Sequence, residues 1–165
     1  VNQDENFAEY GRVFGPLSDY AGARGVRIAF EIWPGGNFAS TPDTWERLFK
    51  VLPSKALGLN FDPSHLVWQF VDYVEAVRKF GERIYTVHAK DTEIIQSRLA
   101  YTGFYGQGWW RYRLPGWGMV NWPAFISALK DVKYDFVLTV EHEDPLFALE
   151  DGLVKSRRFL SNLIG

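Results

Sequence analysis

Leu57-Gly-Leu-Asn-Phe-Asp62-Pro-Ser-His65 carries two messages in nine residues. Leu57–Asp62 is short and mostly apolar, which reads as a strand buried on both faces. It ends on a carboxylate, and Pro63 and His65 follow within one turn. The same arrangement recurs outward from it. Val26-Arg-Ile-Ala-Phe-Glu31 is an apolar run ending on an acid. Ile84–His88 leads into His88-Ala-Lys90-Asp91, and Phe136–Glu141 leads into His142-Glu143-Asp144. All three histidines of the chain therefore stand beside carboxylates at the C-terminal ends of strand-like runs. Parallel strands aim those ends at one shared mouth, so the pattern predicts a site.

Helical spacing fills the intervals. Phe7, Tyr10, Phe14, Leu17, Tyr20 and Ala21 give a helix over Phe7–Ala23, strained at Gly15-Pro16. Thr41-Pro-Asp43-Thr-Trp-Glu46 opens a helix, with Asp43 as candidate cap and Trp45, Leu48 and Leu52 on one face. A single helix is expected over Val67–Phe80, with Phe70, Val74 and Val77 on one side. Asn121 caps a helix to about Lys130, and Phe147–Leu163 is a closing amphipathic helix.

Apolar strands alternating with helices predict a parallel sheet covered by helices. The strand ends at Glu31, Asp62, His88 and Glu141 are 31, 26 and 53 residues apart. The first two intervals each suit one βα unit. The third holds an insertion, Asp91–Val120, rich in Gly and aromatics and without periodicity. An irregular segment of that length is usually functional.

A chain of 165 residues reads as one domain, 1–165, large enough for a real core. A net charge of −2 without a basic stripe gives a nucleic-acid backbone nothing to bind. The absence of cysteine excludes disulfides and thiolate chemistry, leaving metal ligation to His, Asp and Glu. No apolar run approaches the ~20 residues of a membrane span, and no signal-peptide pattern opens the chain. No membrane partner and a cytoplasmic location are the expectations.

Glu31, Asp62, His88 and Glu141 together offer three carboxylates and one imidazole. Such an oxygen-rich set suits one divalent ion, Mn²⁺ first, with Mg²⁺, Co²⁺ or Zn²⁺ as alternatives. Taken singly, each has an ordinary structural reading. Glu31 could cap a helix, Asp62-Pro63 could start a turn, and His88 could be a hydrogen-bonded core histidine. Their shared position at successive strand ends is what singles them out. Trp33, Trp109 and Trp110 could stack on an apolar ligand face or simply pack. His142 alternates away from Glu141 and reads as structural, and Asp91 and Glu143 read as caps or surface acids.

The order of these motifs, closing with Leu114-Pro-Gly-Trp-Gly-Met-Val-Asn-Trp122 before the strand ending in Glu141, resembles the sugar phosphate isomerase/epimerase family. Those proteins are TIM barrels of the xylose isomerase-like superfamily, and the resemblance spans strands five to eight. It implies that the chain is the C-terminal half of a (β/α)8 barrel. It implies a metal held by Glu31, Asp62, His88 and Glu141, with Glu31 and Glu141 as the proton-transfer pair. His65 would bind a substrate oxygen, with Lys90, Arg113 and Trp33 as further substrate contacts. The implied reaction is isomerisation or epimerisation of a small sugar, sugar phosphate or polyol through an enediolate. A dehydratase of inosose or dehydroshikimate type and an inactive fragment are alternatives. An apurinic-site endonuclease is disfavoured, because Asp91–Val120 contains no histidine. Where ketose 3-epimerases carry a further acid after the first Glu, this chain reads Trp33-Pro-Gly-Gly-Asn37. Ketohexose epimerisation is therefore one option among polyol, keto-sugar and inosose chemistries.

An open half-barrel would leave both sheet edges and an apolar inner face uncovered. Ile28, Phe30, Leu59, Phe61, Tyr85 and Val137 are expected among the residues concerned. A homodimer or a missing N-terminal half-barrel is the expected partner.

Overall fold

Leu57, Leu59 and Phe61, which alternate onto one face of their strand, are at most 1% exposed, as a helix-covered sheet face requires. In a computed structural model describing residues 3–164, they form β2 (Leu57–Phe61), inside a four-stranded parallel sheet. The sheet order is β1-β2-β3-β6, with β1 at Ile28–Glu31, β3 at Ile84–Ala89 and β6 at Leu138–Val140. Phe61 meets Trp45 of α2 (Pro42–Val51) and Phe125 of α6 (Trp122–Asp131), each with ring centroids 5.9 Å apart. Burying each such ring contributes roughly 1.5–3 kcal/mol, so this seam anchors the helices to the sheet. α7 (Leu149–Ile164) closes the described chain. Among the described residues β1 and β6 each pair on one side only, so the sheet is open.

Several expected elements change shape. α1 (Gln3–Gly22) runs straight through Pro16. Pro16 is exposed and so is Arg12, whose carbonyl loses its helical partner, so water can satisfy that group. Burial of Phe14 and Tyr10 against Phe30 of β1, at 5.0 and 5.7 Å, holds the helix together across the defect. At α2 the cap is Thr41, not Asp43. Thr41 N donates to Thr44 Oγ1 at 3.0 Å, and Asp43 instead accepts from Thr41 Oγ1.

The single helix expected over Val67–Phe80 is two helices, α3 (Pro63–Trp68) and α4 (Tyr73–Phe80). Val71 N returns to Leu66 O, and Asp72 Oδ1 accepts from Val74 N and Glu75 N. A strong cap in mid-run thus wins over continuity. The cost is borne by Phe70, which sits at φ 57° and is 60% exposed rather than on the buried face.

Asp91–Val120 is ordered, contrary to its irregular sequence. β4 (Asp91–Ile94) and β5 (Trp110–Arg113) form an antiparallel pair, with α5 (Gln96–Thr102) between them. Asp91, expected as a cap or surface acid, is fully buried. It accepts from Thr92 N, Gly116 N, Val120 N and Trp122 Nε1 at 2.8–3.0 Å. Trp109 and Trp110 turn out to pack. Trp109 is 3% exposed among Phe70 and Phe104, and Trp110 stacks on Trp68 at 4.7 Å.

The expected bare inner face is smaller than its sequence suggested. Leu59 and Phe61 are covered, and Tyr85 is 9% exposed. Strand alternation turns Asn60 to the face opposite Phe61, beside Glu31 and His88, so polar groups occupy much of the inner surface. Ile28 and Phe30 are half-buried and packed against the core. Val137 lies before β6 and is 51% exposed.

Candidate metal centre and substrate pocket

The C-terminal ends of the four parallel strands bring Glu31, Asp62, His88 and Glu141 together. Ligand atoms of Asp62, His88 and Glu141 lie within 4.8 Å of one another, as do those of Glu31, Asp62 and His65. His88 Nδ1 is 3.3 Å from Glu31 Oε2 and 3.1 Å from Glu141 Oε2. Asp62 divides its work. Its Oδ1 accepts from Ser64 N at 2.8 Å as the cap of α3, leaving Oδ2 for the centre.

Among the described residues, buried Asp62 Oδ2, His88 Nδ1 and the neighbouring Asn60 Oδ1 complete no hydrogen bond, although Lys90 Nζ lies 3.2 Å from Asp62 Oδ2 and Glu141 Oε2 lies 3.1 Å from His88 Nδ1. Buried polar atoms without a completed hydrogen bond call for an explanation, and a cation held among these carboxylates is one. Three carboxylates and one imidazole nitrogen suit a divalent ion, so the residues fit such a group.

The charges at this mouth are tightly linked. Burial pushes the Asp62 carboxyl up, against the pull of His65 and Lys90. Glu141 raises His88 despite partial burial. Glu141 itself is lowered to about 2, first by His88, with burial opposing and Lys90 assisting. Lys90 is 2% exposed. Its Nζ reaches Glu141 Oε2 at 2.5 Å, Glu143 Oε2 at 2.7 Å and Asp62 Oδ2 at 3.2 Å. Burial works against this ammonium, but the carboxylates outweigh it and its pKa is raised.

A cavity of about 270 Å³ opens over the centre, lined by Glu31, Trp33, His65, Lys90, Tyr112, Glu141 and Glu143. His65 is 2% exposed, with Nε2 3.4 Å from Asp62 Oδ2 and 3.5 Å from Glu31 Oε1. Arg113 is not part of this lining. Its guanidinium is taken up by Asp144 Oδ2 at 2.8 Å and Glu93 Oε2 at 2.6 Å. The expectation of a substrate contact there gives way to a buried ion-pair network tying β5 to the segment after β6. His142 is structural, with Nε2 3.3 Å from Ala148 O and its ring pressed against Gly152.

Three site residues escaped the sequence reading. Glu143, which reads in the sequence as a cap or surface acid, lines the cavity and accepts from Lys90. Asn60 donates to Glu31 Oε2 at 2.7 Å and lies 3.0 Å from His88 Nε2. Period-two alternation from Asp62 could have found it. Tyr112 sits in a segment whose pairing is invisible without Asp91, and only the alternation of Trp110-Arg-Tyr112-Arg hinted at a strand.

Comparison with known proteins agrees with this architecture. A family model described as xylose isomerase-like TIM barrel matches residues 1–163. An uncharacterised Bacillus subtilis protein, YfiH, is 32% identical over 142 residues, covering 78% of this chain and 45% of its own. An inosose dehydratase of Clostridium perfringens is 24% identical, covering 97% of this chain and 56% of its own. The chain thus spans about half the length of these curated relatives. Among solved structures, the IOLI protein with a bound zinc atom superposes with a TM-score of 0.75 at 23% identity, over 99% of this chain and 58% of that one. A D-tagatose 3-epimerase-like protein gives 0.67 at 25%, over 98% and 54%. With four parallel strands delivering acids and a histidine to one mouth, and with a family match over nearly its whole length, this chain belongs to the xylose isomerase-like TIM barrel family.

Proposed function

We propose that this chain forms the reacting mouth of a divalent-metal-dependent sugar isomerase or epimerase. The reaction is removal of a proton beside a carbonyl, passing through an enediolate, and its return at another carbon or face. The observation that carries the reading is the convergence at the strand ends of Glu31, Asp62, His88 and Glu141, with buried Asp62 Oδ2 and His88 Nδ1 completing no hydrogen bond. Glu31, Asp62, His88 and Glu141 would hold the ion, Mn²⁺ first by donor type. When bound, such an ion polarises a carbonyl and a neighbouring hydroxyl.

The chain's own groups supply the rest. Glu31 and Glu141 are the carboxylates that take and return the proton. His65 donates to a substrate oxygen, and Trp33 gives the sugar an apolar wall. Lys90 tempers the negative charge of Asp62, Glu141 and Glu143. The half-length match supports reading the four βα units as strands five to eight of an eight-stranded barrel.

Equilibrium dialysis against Mn²⁺ followed by metal analysis tests the centre. One ion per chain is expected, and His88→Ala should weaken binding at least ~10²-fold. Affinity unchanged in that variant would remove His88 from the ligand set.

The charge arrangement favours an unphosphorylated substrate. Loops after the last two strands of a barrel often cradle phosphate. Here the segment after β6 carries Glu141, Glu143 and Asp144, and both nearby cations, Lys90 and Arg113, are already paired with carboxylates. A sugar phosphate is expected to show kcat/KM at least ~10-fold below its free sugar, since like charges brought together oppose binding. Preference for the phosphorylated form would overturn this.

A second reading, a dehydratase, is favoured by the curated relatives named inosose dehydratase. It uses the same carboxylate to remove the proton, which then passes to a neighbouring hydroxyl as its C–O bond breaks and it leaves as water. Product mass decides between them, unchanged for an isomerase and lighter by one water for a dehydratase.

A further inference from the structure

Tyr112 and His65 lie 47 residues apart in sequence, yet Tyr112 Oη is 2.8 Å from His65 Nδ1. The rings meet edge to face with centroids 5.4 Å apart. Three ties hold that geometry. Thr92, opposite Tyr112 in the β4–β5 pair, donates its hydroxyl to Ser64 O at 2.8 Å. Trp110 stacks on Trp68 of α3 with a 2° interplanar angle. Lys90 Nζ lies 4.3 Å from the centre of the Tyr112 ring. A hairpin and a six-residue helix are thereby fixed to each other around one hydrogen bond.

A neutral imidazole carries its proton on one nitrogen, and its neighbours decide which. His65 Nε2 faces Asp62 Oδ2 at 3.4 Å and Glu31 Oε1 at 3.5 Å. Two carboxylates there repel a lone pair and attract an N–H. Nδ1 is then an acceptor, and the Tyr112 hydroxyl is the donor that fills it. Burial pushes the Tyr112 phenol up to about 12, against the nearby Lys90 ammonium, so the hydroxyl keeps its proton to give.

We propose that Tyr112 is a positioning residue that fixes His65 as the Nε2–H tautomer, making His65 a donor to a substrate oxygen and not a metal ligand. The proposal rests on the sugar-site reading above for the identity of the oxygen, but not for the tautomer. It also separates the two overlapping ligand triads. Ligation through His65 Nε2 would need the opposite tautomer, with Nδ1–H donating to Tyr112. Fixing Nε2–H leaves Glu31, Asp62, His88 and Glu141 as the ligand set and His65 as the substrate-facing group.

The test is the ¹⁵N NMR spectrum of the histidine ring nitrogens, with and without Zn²⁺. The chain has three histidines, and loss of signals in His65→Gln assigns those of His65. In the unsubstituted chain a protonated Nε2 and a bare, hydrogen-bonded Nδ1 are expected, before and after Zn²⁺. In Tyr112→Phe the Nδ1 resonance should shift to the position of a nitrogen without a hydrogen bond. A proton on Nδ1 in the unsubstituted chain, direct Zn²⁺ ligation by Nε2, or an unmoved Nδ1 signal in Tyr112→Phe would each overturn the proposal. These readouts need no turnover. A chain that converts no sugar but shows the expected pattern would count against the proposed reaction and not against Tyr112.

Discussion

Replacing Glu141 by Gln is expected to lower turnover by at least ~10²-fold, the lower end of the loss when a general base is removed. The geometry makes this the most direct probe of the proposed chemistry. Glu141 stands 3.1 Å from His88 Nδ1 and 2.5 Å from Lys90 Nζ, and its pKa is lowered to about 2. It is therefore ionised throughout the ordinary working range. A group whose pKa falls on folding contributes stability above its unfolded value, and that contribution fades only as pH drops towards about 2. Gln keeps the size and can still accept from Lys90, but it carries no charge and takes no proton. Turnover should be measured at saturating Mn²⁺, with bound metal quantified in parallel, so that loss of the base is separated from loss of the ion. Turnover within a few-fold of the unsubstituted chain would remove Glu141 from the proton transfer.

Asp91→Ala is expected to destabilise the fold by about 3–5 kcal/mol, corresponding to a Tm lower by roughly 10 °C. The buried carboxylate accepts from four donors, three backbone amides and the Trp122 indole, drawn from positions 92 to 122. Alanine would strand those donors in a site 0% exposed. Each orphaned donor costs on the order of 1–3 kcal/mol, reduced where water enters. Asp91→Asn should be milder, because one acceptor oxygen survives. Urea unfolding of both variants checks the ordering. A loss below about 1 kcal/mol for Asp91→Ala would show that the Asp91–Trp122 segment holds itself together without this hub.

The same residue shows where the sequence stopped being readable. The order of strands, the helices between them and the gathering of Glu31, Asp62, His88 and Glu141 all follow from local patterns. Short apolar runs, the turn chemistry of Asp62-Pro63 and the capping by Asn121 depend on neighbours a few positions away. A parallel sheet then has little freedom in where its strand ends go, so four separated residues are legible as one cluster. The break at Phe70 was also local, written in Asp72, but helical periodicity on either side masked it.

What the tertiary structure alone decided are the interactions that join distant segments. Asp91 organises the chain as far as Trp122 because its donors, scattered over some thirty residues, have no better acceptor in a dry interior. That organisation pairs β4 with β5 and brings Tyr112 over His65. It also turns Arg113 away from the pocket to Asp144 and Glu93. Lys90 reads in the sequence as a substrate contact, and only the fold surrounds its ammonium with three carboxylates. Strand-end chemistry is set by short-range pattern and survives in one dimension. Charge pairing and buried hydrogen bonds depend on distance and exclusion of water, and those exist only once the chain has folded.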